Sequence, residues 1–319
     1  MKTNSLIILS LTGFLFTGLF SCKKTSTTDP TPTPTPTPTP VVVVEKSPQT
    51  SDASKGFMFY NSTDGLANFG EITNAGGYKD IKAYETLLGK GWTQVVPYKG
   101  QLFCYNATSG KAMMFDGVKV VKEYTDFVGG WTNIVALEDK YLMFYNKQSG
   151  AAAWGKFDNN IFTQLASNGF SAGWTSIVAF GSGVWFYTDA PAGTIAIGNF
   201  DGTKFTQTAT QTFQPRMTFF PFGDKRICWY SDLAKSANTG FMGLYDINGA
   251  RTVATIQTVN LYRSTFPFSA YASSENWVLM YSNGKLETLK ITNNNTATLA
   301  NTQTNLSGGW THIVPIKFN

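Results

Sequence analysis

The chain has 319 residues, 42% of them hydrophobic, 15% aromatic and 14% charged, which is too apolar for a disordered protein and too interrupted for one that crosses a membrane many times. Its 25 Lys and Arg stand against 20 Asp and Glu; five of those bases and three of the acids precede Gly56, so the remainder carries only +3 and lacks the electrostatic footprint of a nucleic-acid binder. A single histidine and three cysteines also exclude most catalytic metal sites and the disulfide-framework class.

The first element, residues 1–21, is a secretion signal. Lys2 supplies a positive start, and Leu6 to Phe20 is an apolar run too short for a comfortable membrane span. The run ends at Leu19-Phe20-Ser21-Cys22, which resembles the bacterial lipobox, where a small residue precedes a cysteine that is acylated and becomes the new N-terminus. By that resemblance Cys22 carries lipid, and Lys23 behind it, where inner-membrane retention uses Asp, implies the outer membrane. Multiple acyl chains, at roughly 0.8 kcal/mol per buried CH2, anchor a protein stably.

Residues 22–55 form the tether. Pro30, Pro32, Pro34, Pro36, Pro38 and Pro40 alternate with Thr, a pattern that disfavours helix and cannot sustain a sheet ladder. At ~3.1 Å per residue in an extended polyproline form, the spacer reaches ~100 Å. Val41 to Val44 is β-prone and reads either as an added strand on the domain or as a protected stub.

From Gly56 to Asn319 the chain repeats itself. A Gly-Trp-Thr-x-Ile/Val-Val core recurs at Trp92, Trp131, Trp174 and Trp310, and two decayed copies read as Arg216 to Phe222 and Ser264 to Phe268. The threonine anchors fall at 93, 132, 175, 218, 265 and 311, a spacing of 39 to 47 residues with only β-prone segments between. That period marks a propeller blade of four strands. Second strands end at Tyr60, Tyr105, Tyr145, Tyr187, Tyr230 and Tyr281, and third strands run into Phe115-Asp116-Gly117, Phe157-Asp158-Asn159, Phe200-Asp201-Gly202 and Tyr245-Asp246, whose turn residues supply the positive φ of a tight hairpin. Residues 56–319 are therefore expected to form an all-β, six-bladed β-propeller with four-stranded blades. Gly56 opens on a second strand and the chain stops on an inner one, so pairing of these two completes one blade and closes the ring.

The repeated tryptophan-threonine and phenylalanine-tyrosine units are similar to those of bacterial secreted and lectin-like propellers, and the lipobox with its Thr-Pro stalk looks like that of Bacteroidota surface lipoproteins. The resemblance implies a fold and an address, because propellers host enzymes, lectins and scaffolds alike.

Catalytic chemistry finds little support in the residues. A glycosidase needs two carboxylates across the scissile bond, yet the expected inner strands at Trp92, Trp131, Trp174, Met217, Ser264 and Trp310 contain no Asp or Glu. His312 fills a slot that elsewhere holds Gln94, Asn133 and Ser176, so it belongs to the repeat rather than to a triad. Cys104 and Cys228 sit on opposite faces of distant blades and are not expected to pair. No metal or cofactor motif is present, and no catalytic residue is assigned. What remains is binding, on a domain expected to be monomeric and to meet the membrane only through its lipid. Trp92, Trp131, Trp174 and Trp310 lie at one end of the blades, together with Asn61, Asn106 and Asn146. Indole faces suit the apolar faces of sugars and amides suit hydroxyls; equally, the tryptophans read as wedges between blades and the asparagines as turn formers. The expected ligand is a glycan. The alternatives are a protein, bound by a scaffold in an outer-membrane complex, or the substrate of a divergent carbohydrate-active enzyme using Asp64, Asp189 and Asp232.

Overall fold

A computed structural model describes residues 56–81, 86–189, 193–213, 215–222, 226–234, 239–247, 254–264, 270–274, 276–292 and 297–316; for residues 86, 87, 232–264 and 274 the backbone alone is described. The signal, Cys22, the tether and Val41 to Val44 lie outside the described residues. No helix among the described residues is long and apolar enough to cross a membrane.

The fold is an all-β propeller of antiparallel blades. It opens with β1 (Gly56–Tyr60), β2 (Leu66–Ile72), β3 (Tyr78–Asp80) and β4 (Thr86–Leu87). The second sheet is β5 (Gln94–Tyr98), β6 (Gln101–Tyr105), β7 (Ala112–Phe115) and β8 (Val120–Tyr124); the third is β9 (Asn133–Leu137), β10 (Tyr141–Tyr145), β11 (Ala151–Asp158) and β12 (Ile161–Gly169). The fourth comprises β13 (Ser176–Phe180), β14 (Gly183–Thr188), β15 (Thr194–Phe200) and β16 (Phe205–Thr212), and the fifth β17 (Met217–Phe222), β18 (Arg226–Ala234), β19 (Thr239–Ile247) and β20 (Ala254–Ser264). The sixth is β21 (Ala270–Ser274), β22 (Trp277–Ser282), β23 (Lys285–Ile291) and β24 (Ala297–Gln303), after which β25 (His312–Pro315) joins the first sheet.

Why these segments become strands follows from their burial. Second strands such as β1, β10 and β22 are apolar on both faces and almost wholly buried, because each is covered by a neighbouring sheet on either side. Outer strands β12 and β16 are rich in Thr, Gln, Ser and Asn and largely exposed. The core is accordingly divided into clusters that lie between sheets: Phe103 and Phe144 meet between the second and third, Trp154 and Phe186 between the third and fourth, Phe59 and Leu279 between the sixth and first. Inner strands touch in the cyclic order β5, β9, β13, β17, β21, β25 and back to β5. Backbone ladders run within sheets and not from one sheet to the next, so side-chain packing and single hydrogen bonds join the sheets.

Two expectations are refined. Five sheets are four-stranded meanders, but the first has five strands, in the order β25-β1-β2-β3 with β4 also on β2. Its outer position is shared by two short strands, β3 against Gly70 to Ile72 and β4 against Leu66 and Ala67. The C-terminal strand pairs with β1 from Phe57↔Pro315 to Tyr60↔His312. The inner strand of the sixth sheet is Ala270–Ser274, not Ser264 to Phe268: Ser264 ends β20 of the preceding sheet, residues 265–269 lie outside the described set, and Ala270 stands opposite Tyr281 as Gln94 does opposite Tyr105. Cys104 and Cys228 are both free and buried.

Candidate functional site: an aromatic cleft between two blades

Each Trp-Thr-x motif builds the same end of a blade. The threonine clamps the second strand: Thr93 Oγ1 donates to the Tyr105 carbonyl at 3.2 Å and accepts from the Ala107 amide at 3.0 Å, and Thr132 and Thr311 repeat both bonds with Tyr145 and Lys147, and with Tyr60 and Ser62. The x residue reaches the next inner strand. Gln94 Nε2 donates to the Thr132 carbonyl at 2.9 Å, and His312 Nε2 lies 3.2 Å from the Thr93 carbonyl, bridging β25 to the segment that enters β5.

Tyrosines at the ends of second strands tie neighbouring sheets together. Tyr60, Tyr105, Tyr145 and Tyr281 donate their hydroxyls to the carbonyls of Gly89, Val128, Ser171 and Ser307, each three residues before a tryptophan. The first three also accept the main-chain N–H of Trp92, Trp131 and Trp174 at 3.2 to 3.3 Å. Tyr187 differs by donating to the Asp189 carboxylate at 2.6 Å while accepting from Met217. Burial pushes the hydroxyls of Tyr60, Tyr105, Tyr145 and Tyr187 up, that of Tyr60 to about 12.

Of the residues expected to bind, the asparagines are occupied locally. Asn106 Oδ1 accepts from Thr108 and Ser109 while its Nδ2 donates to the Gly91 carbonyl; Asn146 Oδ1 accepts from Gln148 and Ser149; Asn61 accepts from Thr63 and donates to Asp64. These are Asx turns, and the turn glycines Gly65, Gly110 and Gly150 complete them at φ 85°, 71° and 74°. Asp64 also accepts from the Leu66 amide within its own turn, whereas Asp189 accepts from the Arg216 amide at the entry to the next sheet; the Asp232 side chain lies outside the described residues.

The tryptophans share a position but not a state. Each of Trp131, Trp174 and Trp310 packs against the phenylalanine just before the second-strand tyrosine, with ring centres 5.7 to 5.9 Å apart: Phe144, Phe186 and Phe59. Trp92 packs on the cluster that holds Cys104, which stands at that place, and its indole N–H is spent on the Leu88 carbonyl at 2.7 Å. Trp310 is buried, whereas Trp131 and Trp174 are half-buried and their indole N–H groups meet no acceptor among the described residues.

Trp131 lines a cleft of about 750 Å3 between β8 and β12, within the range of ligand sites. Its deeper wall is Tyr124, Phe127, Phe144, Ala153 and Phe162, with Phe127 and Phe162 4.9 Å apart and Phe144 5.5 Å from Phe162. Val128 and Ile161, 70% and 69% exposed, stand at its mouth with Lys122, Glu123, Asp126 and Gln164. Tyr124 ties the two blades by donating to the Asn160 carbonyl at 2.8 Å, and burial pushes its hydroxyl up to about 12. Phe162 reaches the cleft because Gly155 has no side chain: a Cβ there would strike its ring, and Gly198 stands in the same relation to Phe205. Phe170, Trp174, Phe186 and Phe205 form the same cluster one blade on. Apart from Trp131, the sequence reading missed the cleft residues, though an apolar residue four places before each tryptophan, at Leu88, Phe127, Phe170 and Leu306, is a visible signal. Among the described residues no group of three or more His, Cys, Asp or Glu could hold a metal.

No protein-family model matches this sequence, and no curated protein is similar to it. Among solved structures, similarity extends to a chain of a nidogen/laminin complex (9% identity, TM-score 0.54, 82% of this chain and 97% of that one). It extends also to two proteins described as "putative 6-phosphogluconolactonase", from Bacteroides fragilis (7%, TM-score 0.55, 84% and 99%) and Bacteroides uniformis (11%, TM-score 0.55, 82% and 85%). At such identities the likeness shows a shared propeller fold alone.

Proposed function

We propose that this chain is a non-catalytic glycan-binding lipoprotein, held through Cys22 in the outer membrane on its periplasmic or cell-surface side, whose domain is a monomeric ring of six blades. The ring reading is supported by the cyclic contacts of the inner strands and by the β1–β25 pairing, the anchor by the Ser21-Cys22 ending of the signal. The observation that carries the binding function is Trp131, a half-buried indole whose N–H meets no acceptor among the described residues, set in an aromatic cleft of ligand size. Trp174 repeats the arrangement on the next blade, so two weak sites would act together on one long chain. Trp92 and Trp310 then serve chiefly as packing, and Asn61, Asn106 and Asn146 as turn formers. A non-catalytic role is supported by inner strands β5, β9, β13, β17 and β25 without Asp or Glu. The test is a broad glycan and polysaccharide screen of the full chain beside Trp131→Ala and Trp174→Ala. The substitutions are expected to weaken binding at least tenfold with an unchanged circular-dichroism spectrum; unaltered affinity for every glycan bound would sink the reading. Exposed Val128 and Ile161 favour a second reading, a scaffold docked on one membrane protein, which would appear as a stoichiometric partner lost in Ile161→Asp.

A further inference from the structure

Resting on that glycan reading, we infer that Ala153, with Ala196 one blade on, decides which blades carry a site: a methyl at this position of the third strand leaves the cleft open, and a longer side chain closes it. The sheets supply the comparison themselves. Residues directly opposite on paired strands stand on the same face, and the residue before each second-strand tyrosine faces one third-strand residue. In the third and fourth sheets the pairs are Phe144 with Ala153 and Phe186 with Ala196. In the second the pair is Cys104 with Met113, in the first Phe59 with Asn68, and in the sixth Met280 with Glu287. The fifth pairs Trp229 with Gly243, but there buried Met217 takes the tryptophan's place, its main-chain N–H bonded to the Tyr187 hydroxyl as that of Trp131 is to Tyr105.

Where the third-strand residue is alanine, the tryptophan above it keeps an open side. Ala153 lines the cleft with Phe144 and Phe162, and Trp131 and Trp174 are both half-buried. Where it is longer, the place is filled or committed. Met113 is 2% exposed and shares its cluster with Trp92, whose indole N–H goes to Leu88. In the first sheet, with Asn68 at this position, Trp310 is buried, although Tyr78 lies across Gly70 just as Phe162 lies across Gly155. An aromatic ring laid over a third-strand glycine is therefore not enough to make a cleft; the side chain two places earlier decides. In Ala153→Met the thioether chain would run into the space that a sugar ring needs beside Trp131 and the phenylalanines.

The experiment titrates the full chain calorimetrically with cello-, xylo-, manno- and chitotetraose, as wild type, as Ala153→Met with Ala196→Met, and as Ala153→Gly with Ala196→Gly. Thermal melts compare Ala153→Met with Ala152→Met. Ala152 points to the other side of the same strand, 3% exposed among Met143, Tyr145 and Trp154, so methionine there overpacks a closed core. Ala153→Met is expected to melt with wild type, because its chain enters open space. The methionine pair is expected to bind at least tenfold more weakly every probe that wild type binds. The glycine pair, verified by a cooperative melt, keeps binding within threefold, a contrast that a purely structural role of the alanines would not produce. Wild-type affinity in the methionine pair, or a melt of Ala153→Met lowered as far as that of Ala152→Met, overturns the inference and leaves glycan binding standing. If wild type binds no probe and the broader screen retains no glycan, the glycan reading falls and the melts alone decide: an unchanged Ala153→Met supports an opening over this residue, a destabilised one overturns it.

Discussion

Tyr145 shows how much one hydroxyl does in this chain. It gives its proton to the Ser171 carbonyl at 2.9 Å and receives the Trp174 N–H at 3.2 Å, so Tyr145→Phe strands a main-chain donor and a main-chain acceptor at a junction between blades. Urea unfolding is expected to show a loss of about 1–3 kcal/mol, the usual cost of an orphaned buried polar group; a variant within 0.5 kcal/mol of wild type would mean that water replaces the tyrosine. His312 adds a dependence on pH. Burial holds its imidazole below the ordinary 6.5, against the pull of the Thr93 carbonyl. The unfolded chain therefore takes up a proton that the native one refuses, and this part of the stability is complete above pH ~6.5 and declines as pH falls from there toward the lowered native value. His312→Gln, copying Gln94, should flatten that segment of the wild-type profile, checked by unfolding free energies at pH 5 and 7.5. The sequence showed that His312 occupies a repeated slot and that each tyrosine recurs, but not that the tyrosines bridge blades, because their acceptors are main-chain carbonyls, which no residue type announces. The asparagines are a converse case: Asn-x-x-Ser-Gly is equally compatible with an open amide and an Asx turn, and only the bonds from Thr108, Ser109, Gln148 and Ser149 decide.

At the scale of a strand, the third strand sets the cleft. β11 and β12 slip register between Trp154 and Gly155, and the Phe162 ring lies across the space that a Gly155 side chain would fill. Gly155→Ala is expected to displace that ring, costing about 1–3 kcal/mol by overpacking and weakening whatever the cleft binds; calorimetry on a variant that still melts cooperatively separates the two effects. A wild-type melting point together with wild-type affinity would show that the ring is free to move aside. Strand boundaries were legible wherever a tryptophan or a Phe-Tyr pair punctuated the repeat. They failed at the sixth inner strand, where Phe266-Pro267-Phe268 copies the hydrophobic pattern of Phe220-Pro221-Phe222 but the described strand is Ala270–Ser274. The frame there is set by the partner strand, since Ala270 must face Tyr281 to continue the inner ladder. Likewise nothing in Tyr78–Asp80 and Thr86–Leu87 alone says that both would lie on β2.

At the scale of the molecule, the decisive contact is between the two ends of the domain. β25 contributes only four residues, but Trp310, Ile313, Val314 and Ile316 around it are each under 8% exposed, and they belong to two different clusters: Trp310 and Ile313 to the one shared with the sixth sheet, Val314 and Ile316 to the one shared with the second. At roughly 1.5–3 kcal/mol for each fully buried large side chain, their removal forfeits on the order of 6–12 kcal/mol. That is comparable with the entire 5–15 kcal/mol stability of a typical domain. Loss of the strand also uncovers the ladder edge of β1, from Phe57 to Tyr60, and breaks the His312 bridge to Thr93. Deleting residues 309–319 is therefore expected to abolish the cooperative melt of all the sheets together, rather than to loosen the first one alone, read by near-ultraviolet circular dichroism and by hydrogen exchange along every blade. Protection lost only from Gly56 to Ile72, with the other blades unchanged, would mean that each sheet stands on its own neighbours and that the sheets are not one cooperative unit.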